Sequence, residues 1–316
     1  MDHKKKILLL GTILLIITLL YLCLDLNANS WRYALSRRIP RVFAILLTGG
    51  GIAFSSVVFQ TITNNRILTP SVLGLDSLYL FTQTLVVFIL GSNSFILLSA
   101  EMNFVVSVSA MVGFSTILYV LFFKKQRENI YYLLLIGIIF STLFSSLASF
   151  MQMLIDPNEF HIVQDRMFAS FNNVNTDLLT ISFFIFIAAG IYTFPLIKQL
   201  DVLSLGRDHA INLGVNYDKV IKRLLIVIVI LVAVSTALVG PITFLGILVA
   251  NLAREILTTY KHKYIISMAV IISGLALIGG QLVSERILNL GVPISVIVNF
   301  AGGIYFIYLL LKGKTV

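Results

Sequence analysis

Ten apolar runs, each long enough to cross a lipid bilayer, constrain this chain more than any other feature of its sequence. They fall at approximately 7–24, 40–60, 72–91, 103–123, 130–150, 178–197, 219–238, 240–258, 264–283 and 293–311. A helix rises about 1.5 Å per residue, so roughly 20 apolar residues span a hydrocarbon layer of about 30 Å. Backbone polar groups in that layer must pair within the segment, which favours a helix for each run. The sequence therefore predicts an all-α integral membrane protein with about ten transmembrane helices.

Composition excludes a soluble protein. Of the 316 residues, 58% are hydrophobic and 12% are charged, which leaves too few polar side chains to cover the surface of a soluble domain. The net charge of +9 would suggest nucleic-acid binding in a soluble protein. In a membrane protein the same excess usually lies in cytoplasmic loops that face anionic lipid. We therefore expect contact with membrane lipid and no contact with nucleic acid.

The positions of lysine and arginine predict the orientation of the chain. If the N-terminus is cytoplasmic, most of the 23 basic residues fall in cytoplasmic segments, as the positive-inside rule requires. An even number of helices then places both termini in the cytoplasm. The first run could instead be a signal peptide, but no small-residue cleavage site follows it, which favours a retained helix. We expect a multi-pass protein of the cell membrane in which residues 1–316 form a single domain, with an external loop at 151–177 and a cytoplasmic loop at 198–218.

Signatures of enzymes and of metal sites are missing from the sequence. The tail Gly313-Lys314-Thr315 matches the end of a phosphate-binding loop, but Tyr308 stands where that motif requires its first glycine. The four histidines are scattered without metal-ligand spacing, and the single cysteine, Cys23, has no partner in the chain. We expect no catalytic residue, no cofactor and no bound metal, and the chain should not hydrolyse ATP by itself.

Asp76 is the one acidic residue that the runs place plausibly at membrane depth. A charge there costs about 2.5–3.5 kcal/mol and usually marks a functional path. The favoured interpretation is an interfacial carboxylate that reaches water or pairs with a neighbour such as Arg66, and the alternative is a gate or path residue. Since the spans otherwise lack ionisable groups, an ion-coupled secondary transporter is a weaker hypothesis than a transporter driven by an energised partner.

The cytoplasmic loop contains a candidate docking element, "LSLGRDHAINLGVNYDKV". Ser204 can cap a short helix from Arg207 to Leu213, and Gly214 can adopt the left-handed conformation that ends it. Ala210 would let a partner approach closely. The pattern is typical either of an ordinary interfacial helix or of a helix that enters a cleft of a soluble subunit.

Several segments resemble one family of transporters. The spacing of Gly206, Ala210, Leu213 and Gly214 is similar to the coupling-loop motif of the FecCD family, the iron-siderophore and cobalamin permeases of ABC importers. The stretches "RIPRVFAILLTGGGIAFSSVVFQTITNNRILTPSVLG", "VGPITFLGILVANLAR" and "VPISVIVNFAGGIYFIYLLLK" resemble its second, eighth and tenth helices. The likeness runs from about residue 38 to the C-terminus, and "FQTITNNRILTPSVLGLDSLY" looks most like permeases for ferric siderophores of the catecholate or petrobactin kind.

The resemblance implies a type II ABC importer permease fold and a set of partners. The partners are a second permease, either the same chain or a paralogue, two cytoplasmic ATPase subunits that use ATP, an extracytoplasmic substrate-binding protein, and a ferric siderophore. Contact with the ATPase is expected at Ser204, Gly206, Arg207, Ala210, Leu213 and Gly214. The path or gate is expected to include Gln60, Asn65 and Asp76.

An arginine-rich stretch, "SRRIPRVF", lies on the external side in spite of the positive-inside rule. Proline is favoured in the first helical turn, so Pro40 should place Arg38 and Arg41 at the outer mouth of the second helix. The resemblance implies that Arg38, Arg41 and Arg286 bind carboxylates of the substrate-binding protein. The alternative is contact with lipid phosphates, a role that suits Arg32 and Arg37 better.

The chain departs from the family pattern at three places. Ala250-Asn251 replaces the usual proline-histidine of the eighth helix, which puts the expected kink in doubt because alanine keeps the backbone hydrogen bond. Asp76 replaces a small residue. The external loop reads "MFASFNN" where the family has tryptophan-glycine-serine. We therefore expect a substrate path with its own shape.

Overall fold

A computed structural model describes residues 2–24, 31–91, 99–119, 130–289 and 292–312. Every regular element in these ranges is helical. The α-helices are α1 (His3–Cys23), α2 (Trp31–Ile62), α3 (Leu75–Leu90), α4 (Ala100–Leu118), α5 (Ile130–Gln152), α6 (Pro157–Met167), α7 (Thr176–Thr193), α8 (Ile197–Leu203), α9 (Arg207–Asn212), α10 (Tyr217–Val239), α11 (Leu245–Ile256), α12 (His262–Arg286) and α13 (Ile294–Lys312). Short 3₁₀ turns at Pro70–Leu73 and Phe194–Leu196 precede α3 and α8.

A helix overlaps each of the ten predicted apolar runs. Within the described residues, seven segments are long and apolar enough to cross a membrane, and they comprise α1, α2, α4, α5, α7 with α8, α10 and α12. The helices α3, α11 and α13 fall short of that length or hydropathy over their described parts. An all-helical, multi-pass membrane protein is therefore confirmed, whereas the full count of ten spans and the side on which the termini lie stay predictions.

The outward surface of α1 is apolar, as expected of a helix that faces lipid. Leu8, Leu15 and Leu20 are each more than half exposed, and Tyr21 is the one buried residue of the helix. A soluble protein would hide such a surface.

The second helix begins earlier than predicted. It starts at Trp31, so Pro40 lies in its interior and not in its first turn. Proline there removes one backbone hydrogen bond, and the carbonyl of Ser36 loses its usual partner. Most residues of this first part of α2 are exposed, where water or lipid headgroups can satisfy a free carbonyl.

The run predicted at 240–258 is only partly helical. Gly240 ends α10 with φ +97° and Pro241 follows it, so the chain from Gly240 to Phe244 is not helical and α11 has 12 residues. At about 1.5 Å per residue such a helix is too short to cross the bilayer. A Cβ at Gly240 would lie 2.9 Å from the Cα of Ala169, so the loop 151–177 packs directly against this break.

α2 is the central helix of the fold. It packs against α10, α11 and α12, and Ala44, Ile45 and Val58 on it are fully buried. A Cβ at Gly49 would lie 2.6 Å from Ser273 Oγ, so the absence of a side chain allows α2 and α12 to approach closely.

The long helices alternate in direction, which gives the bundle two ends. We call the end with the N-terminus of α1, α8 and α9 the lower end; there Lys6 Nζ donates to the carbonyl of Ile256 at 2.7 Å. We call the end with the C-terminus of α1, the start of α2 and α6 the upper end. The predicted loop 198–218 lies at the lower end and contains α9, and the predicted loop 151–177 lies at the upper end and contains α6.

Candidate functional site

The candidate docking element at the lower end contains the short helix α9 and directly follows α8. Ser204 closes α8, because its backbone N–H donates to Leu200 O at 3.0 Å and its Oγ donates to Asp201 O at 2.7 Å. The residue before α9 is Gly206, with φ +96° and no side-chain cap. The prediction that Ser204 caps the helix at Arg207 is therefore wrong: its hydroxyl is already used by the preceding helix.

The end of α9 matches the sequence prediction. Gly214 adopts φ +81° directly after the helix, and nothing lies within 4 Å of the Cβ it lacks. Arg207 is half exposed and lies 5.7 Å above the ring of Tyr217. Glycine at position 214 therefore allows the left-handed backbone conformation and is not required for a close packing contact.

The side chain of Ala210 is buried inside the bundle. It is 0% exposed and belongs to the core shared by α8 and α10, so the expectation that its methyl group meets a partner directly does not match this conformation. The exposed apolar side chains are its neighbours Leu205, Ile211 and Leu213, at 56%, 46% and 63%. A small residue at position 210 lets α9 lie flat on the bundle, while the leucines face outwards.

A network of hydrogen-bonded polar side chains connects α8 with the core of the bundle. His262 Nδ1 lies 2.7 Å from Asp201 Oδ1, and its Nε2 lies 2.8 Å from Thr61 Oγ1. Arg254 Nη2 donates to the same hydroxyl at 3.3 Å. These hydrogen bonds join α8, α12, α2 and α11. The sequence analysis did not predict the network, because there His262 was one of four scattered histidines.

Gln60 and Asn65 hold a turn that follows α2. Gln60 is 1% exposed, and its Nε2 donates to the carbonyl of Arg66 at 2.6 Å. Asn251 Nδ2 donates to the same carbonyl at 2.9 Å, and Asn65 Oδ1 accepts from the N–H of Ile67 at 2.9 Å. In this conformation the two predicted path residues shape a loop. α11 runs through Ala250 and Asn251 without interruption.

Asp76 lies in the first turn of α3 and is partly exposed. Its Oδ2 accepts from Thr243 Oγ1 at 3.3 Å, and Ser71 also hydrogen-bonds to the carboxylate. The interpretation that Asp76 pairs with Arg66 is wrong, because no such pair forms within 4.0 Å in the described chain. The carboxylate instead connects α3 with the non-helical segment before α11.

At the upper end Arg41 already has a carboxylate partner in this chain. Its Nη1 donates to Glu285 and, at 2.9 Å, to the hydroxyl of Tyr21, and its Nε donates to Phe171 O at 3.2 Å. The side chains of Arg41 and Glu285 are 15% and 16% exposed. Arg41 therefore joins α2 to α1, α12 and the loop 151–177.

Arg38 and Arg286 lie at the same end in different surroundings. Arg38 Nη1 donates to the carbonyls of Leu22 and Leu24 at 3.0 Å and 2.5 Å, which closes the C-terminus of α1. Arg286 follows Glu285 directly and is exposed. The three arginines thus share a corner of the bundle, and Arg286 is its exposed member.

Residues with metal-binding chemistry do not cluster among the described residues, where no group of three or more His, Cys, Asp or Glu is found. The tail Gly313-Lys314-Thr315 lies outside the described residues.

Comparison with known proteins decides the family. The FecCD transport family matches residues 7–312 of the chain. The chain belongs to the FecCD transport family. This agrees with the resemblance that the coupling-loop spacing and the helix motifs indicate.

Two relatives within the family are similar over nearly the whole chain. The petrobactin import system permease protein YclO of Bacillus subtilis (strain 168) is 60% identical over 312 residues, which cover 99% of this chain and 98% of the relative. The petrobactin import system permease protein FatC of Bacillus anthracis is 36% identical over 289 residues, with 92% and 82% coverage.

A solved structure shares the fold of this member of the FecCD transport family. It is described as a metal-chelate type ABC transporter in an inward-facing conformation and superimposes with a TM-score of 0.85 at 24% identity, covering 98% of this chain and 100% of that one. At this identity the match supports the fold alone, which is that of an ABC transporter permease.

Proposed function

We propose that this chain is the membrane-spanning permease subunit of an ATP-driven importer for a ferric siderophore of the petrobactin kind. The observation that carries the proposal is the 60% identity over 312 residues to a petrobactin import permease. The chain passes the substrate from an extracytoplasmic binding protein to the cytoplasm and performs no covalent chemistry itself.

The proposal includes a topology and an assembly. Ten spans place both termini in the cytoplasm, so the lower end of the bundle is cytoplasmic and the upper end external. Two permeases, this chain twice or with a paralogue, stand side by side in the cell membrane above two ATPase subunits. ATP binding below and docking of the binding protein above favour different states of one assembly, which is how two distant sites are linked thermodynamically.

The ATPase docks on α9 and its flanking turns, residues 204–214. The support is the exposure of Leu205, Ile211 and Leu213 on a short element. The link through His262 to α2, α11 and α12 gives motion of this element a route into the bundle.

The binding protein docks at the arginine corner of the upper end. Arg286 is its exposed member, while Arg38 and Arg41 hold α1, α2 and α12 together beneath it. Arginine suits recognition of carboxylates on the partner because its planar fork donates two parallel hydrogen bonds.

The path and its gate lie beside the turn at Asn65 and the contact between Asp76 and Thr243. Both places adjoin breaks between helices: the turn after α2 and the non-helical segment before α11. Breaks of this kind are tolerated at membrane depth where they line a cavity or are buried in protein.

Gene disruption tests the proposed function. Cells that lack this chain should lose uptake of ferric petrobactin labelled with radioactive iron, and a plasmid copy should restore it. Uptake of an unrelated amino acid serves as the control and should not change. Full ferric petrobactin uptake in the disrupted strain, in a medium where no second importer is expressed, would contradict the proposal.

A further inference from the structure

A cavity of about 550 Å³ lies at the upper end, inside this chain. Residues of α3, α4 and α6 line one side, and residues of α10, α12 and the start of α13 line the other. Its polar lining includes Tyr79, Asn103, Arg166, Asn172, Gln281 and Ser284. A polar cavity of this size inside a membrane protein needs either water or a ligand.

Arg166 is the basic residue of that lining. It lies in the last turn of α6 and is partly buried. Its Nη1 donates to Asn103 Oδ1 at 2.8 Å, and it hydrogen-bonds to the side chain of Tyr79. Both partners are neutral, and they are 4% and 3% exposed.

Among the described residues, no ion pair compensates the charge of Arg166. Within the part of the chain that the structure describes, no carboxylate oxygen lies within 4.0 Å of its guanidinium, in contrast to Arg41 and Glu285. Asp165 is exposed and also lines the cavity, but it forms no such contact. Buried charges in proteins are usually paired, so a partly buried guanidinium without a counter-ion is suited to bind an anionic ligand.

Hydrogen bonds behind Arg166 fix its position in advance. Asn103 Nδ2 donates to Gln83 Oε1 at 3.0 Å, and Gln83 Nε2 donates to Ser107 Oγ at 2.8 Å. Gln83 and Ser107 are 1% and 0% exposed. Because a guanidinium has more N–H donors than its two neutral contacts use, the remaining donors are available to a ligand in the cavity.

We propose that this cavity binds an anionic oxygen group of the ferric chelate during transfer from the binding protein, with Arg166 as the ligand-binding residue. The inference rests on the proposed function and adds a site to it. Carboxylate and catecholate oxygens match the donors of a guanidinium in charge and geometry. Gln281 and Ser284 on the opposite side can donate to further oxygens of the same molecule.

The test uses the complete transporter in proteoliposomes, with radiolabelled ferric petrobactin as the probe. Arg166→Gln removes the charge and keeps a side chain that can donate to Asn103. We expect it to lower the iron transported per ATP about tenfold, as loss of one charged hydrogen-bonding partner commonly does. Stimulation of ATP hydrolysis by the binding protein should not change. Arg166→Lys should recover at least part of the transport because it restores the charge.

A neighbouring substitution provides the matched control. Gln164→Ala changes an exposed side chain of α6 that does not line the cavity, so transport per ATP should stay the same; a loss as large as that of Arg166→Gln would overturn the assignment. Unchanged transport by Arg166→Gln would also overturn it. So would a parallel loss of transport and stimulated hydrolysis, since Arg166 would then only hold α6 in place. If the wild-type complex transports no ferric chelate, the proposed function itself fails.

Discussion

Arg41 and Arg286 share one corner of the bundle but differ in exposure. Arg41 is largely buried and hydrogen-bonded to Glu285, Tyr21 and Phe171 of the upper loop 151–177, whereas Arg286 is exposed. Truncation of Arg41 therefore removes contacts with three other parts of the protein. The Arg286 side chain is accessible to a docking partner at the surface.

Substitution of each arginine should therefore have a separate effect. Arg41→Gln should lower the free energy of unfolding by about 1.5–3 kcal/mol, because it leaves Glu285 without its charged donor. Arg286→Glu should weaken docking of the binding protein at least about tenfold, equivalent to about 1.4 kcal/mol. Thermal unfolding in detergent and docking affinity to reconstituted transporter measure the two effects. Equal docking by Arg286→Glu and wild type would remove Arg286 from the interface.

Ala210 supports a prediction that differs from one drawn from sequence. A partner that meets the methyl group would be blocked by a larger side chain, but the methyl group is buried against α8 and α10. Ala210→Trp should instead lift α9 from the bundle, since over-packing a filled core commonly costs about 1–3 kcal/mol. ATP-driven uptake should fall while the protein remains in the membrane, as judged by immunoblotting of membrane fractions. Wild-type uptake by this variant would show that the position of α9 does not matter for coupling.

At the scale of elements, α8 and α9 are joined to the bundle by buried apolar side chains and by one polar link. Leu200, Leu203 and Ala210 are buried in the core. The imidazole of His262 connects Asp201 on α8 with Thr61 on α2, and Arg254 on α11 donates to the same Thr61 hydroxyl. A displacement of α8 would therefore affect the ends of α2, α11 and α12.

Removal of the histidine should uncouple the two ends. His262→Phe keeps the ring volume but breaks both side-chain contacts, so iron transported per ATP should fall at least about fivefold; the buried Thr61 hydroxyl would lose a partner, at about 1–3 kcal/mol. The exposed neighbour offers the control Lys263→Ala, which should behave as wild type. The ratio of radiolabelled iron uptake to phosphate release in proteoliposomes gives the answer. An unchanged ratio in His262→Phe would mean that this contact only stabilises the fold.

Helices that local hydropathy determines can be predicted from sequence, whereas features that depend on contacts between distant residues cannot. The bilayer demands long apolar helices, so hydropathy located α1, α10 and α12 within a few residues. The early start of α2 places Pro40 inside a helix, and the late start of α11 follows the break at Gly240. Both depend on tertiary surroundings, which a sequence pattern does not contain. The pairs Arg41–Glu285 and Thr61–His262 join residues 244 and 201 positions apart, which no local motif reveals.

At the scale of the molecule, the two ends of the bundle have different chemistry. The lower end presents exposed leucines on either side of α9, and the upper end presents an arginine corner and a cavity whose arginine has no ion pair among the described residues. Such an asymmetry suits a transporter that binds an ATPase at one end and a substrate-binding protein at the other.

Transport by the reconstituted complex tests the central claim most directly. This chain, its partner permease and the ATPase would be placed in proteoliposomes, and uptake of radiolabelled ferric petrobactin would be measured with the binding protein outside and ATP at the ATPase side. We predict that uptake requires ATP and the binding protein together, and that ionophores which collapse proton and sodium gradients leave it unchanged. Uptake that proceeds without nucleotide and stops when an ion gradient is collapsed would contradict the account.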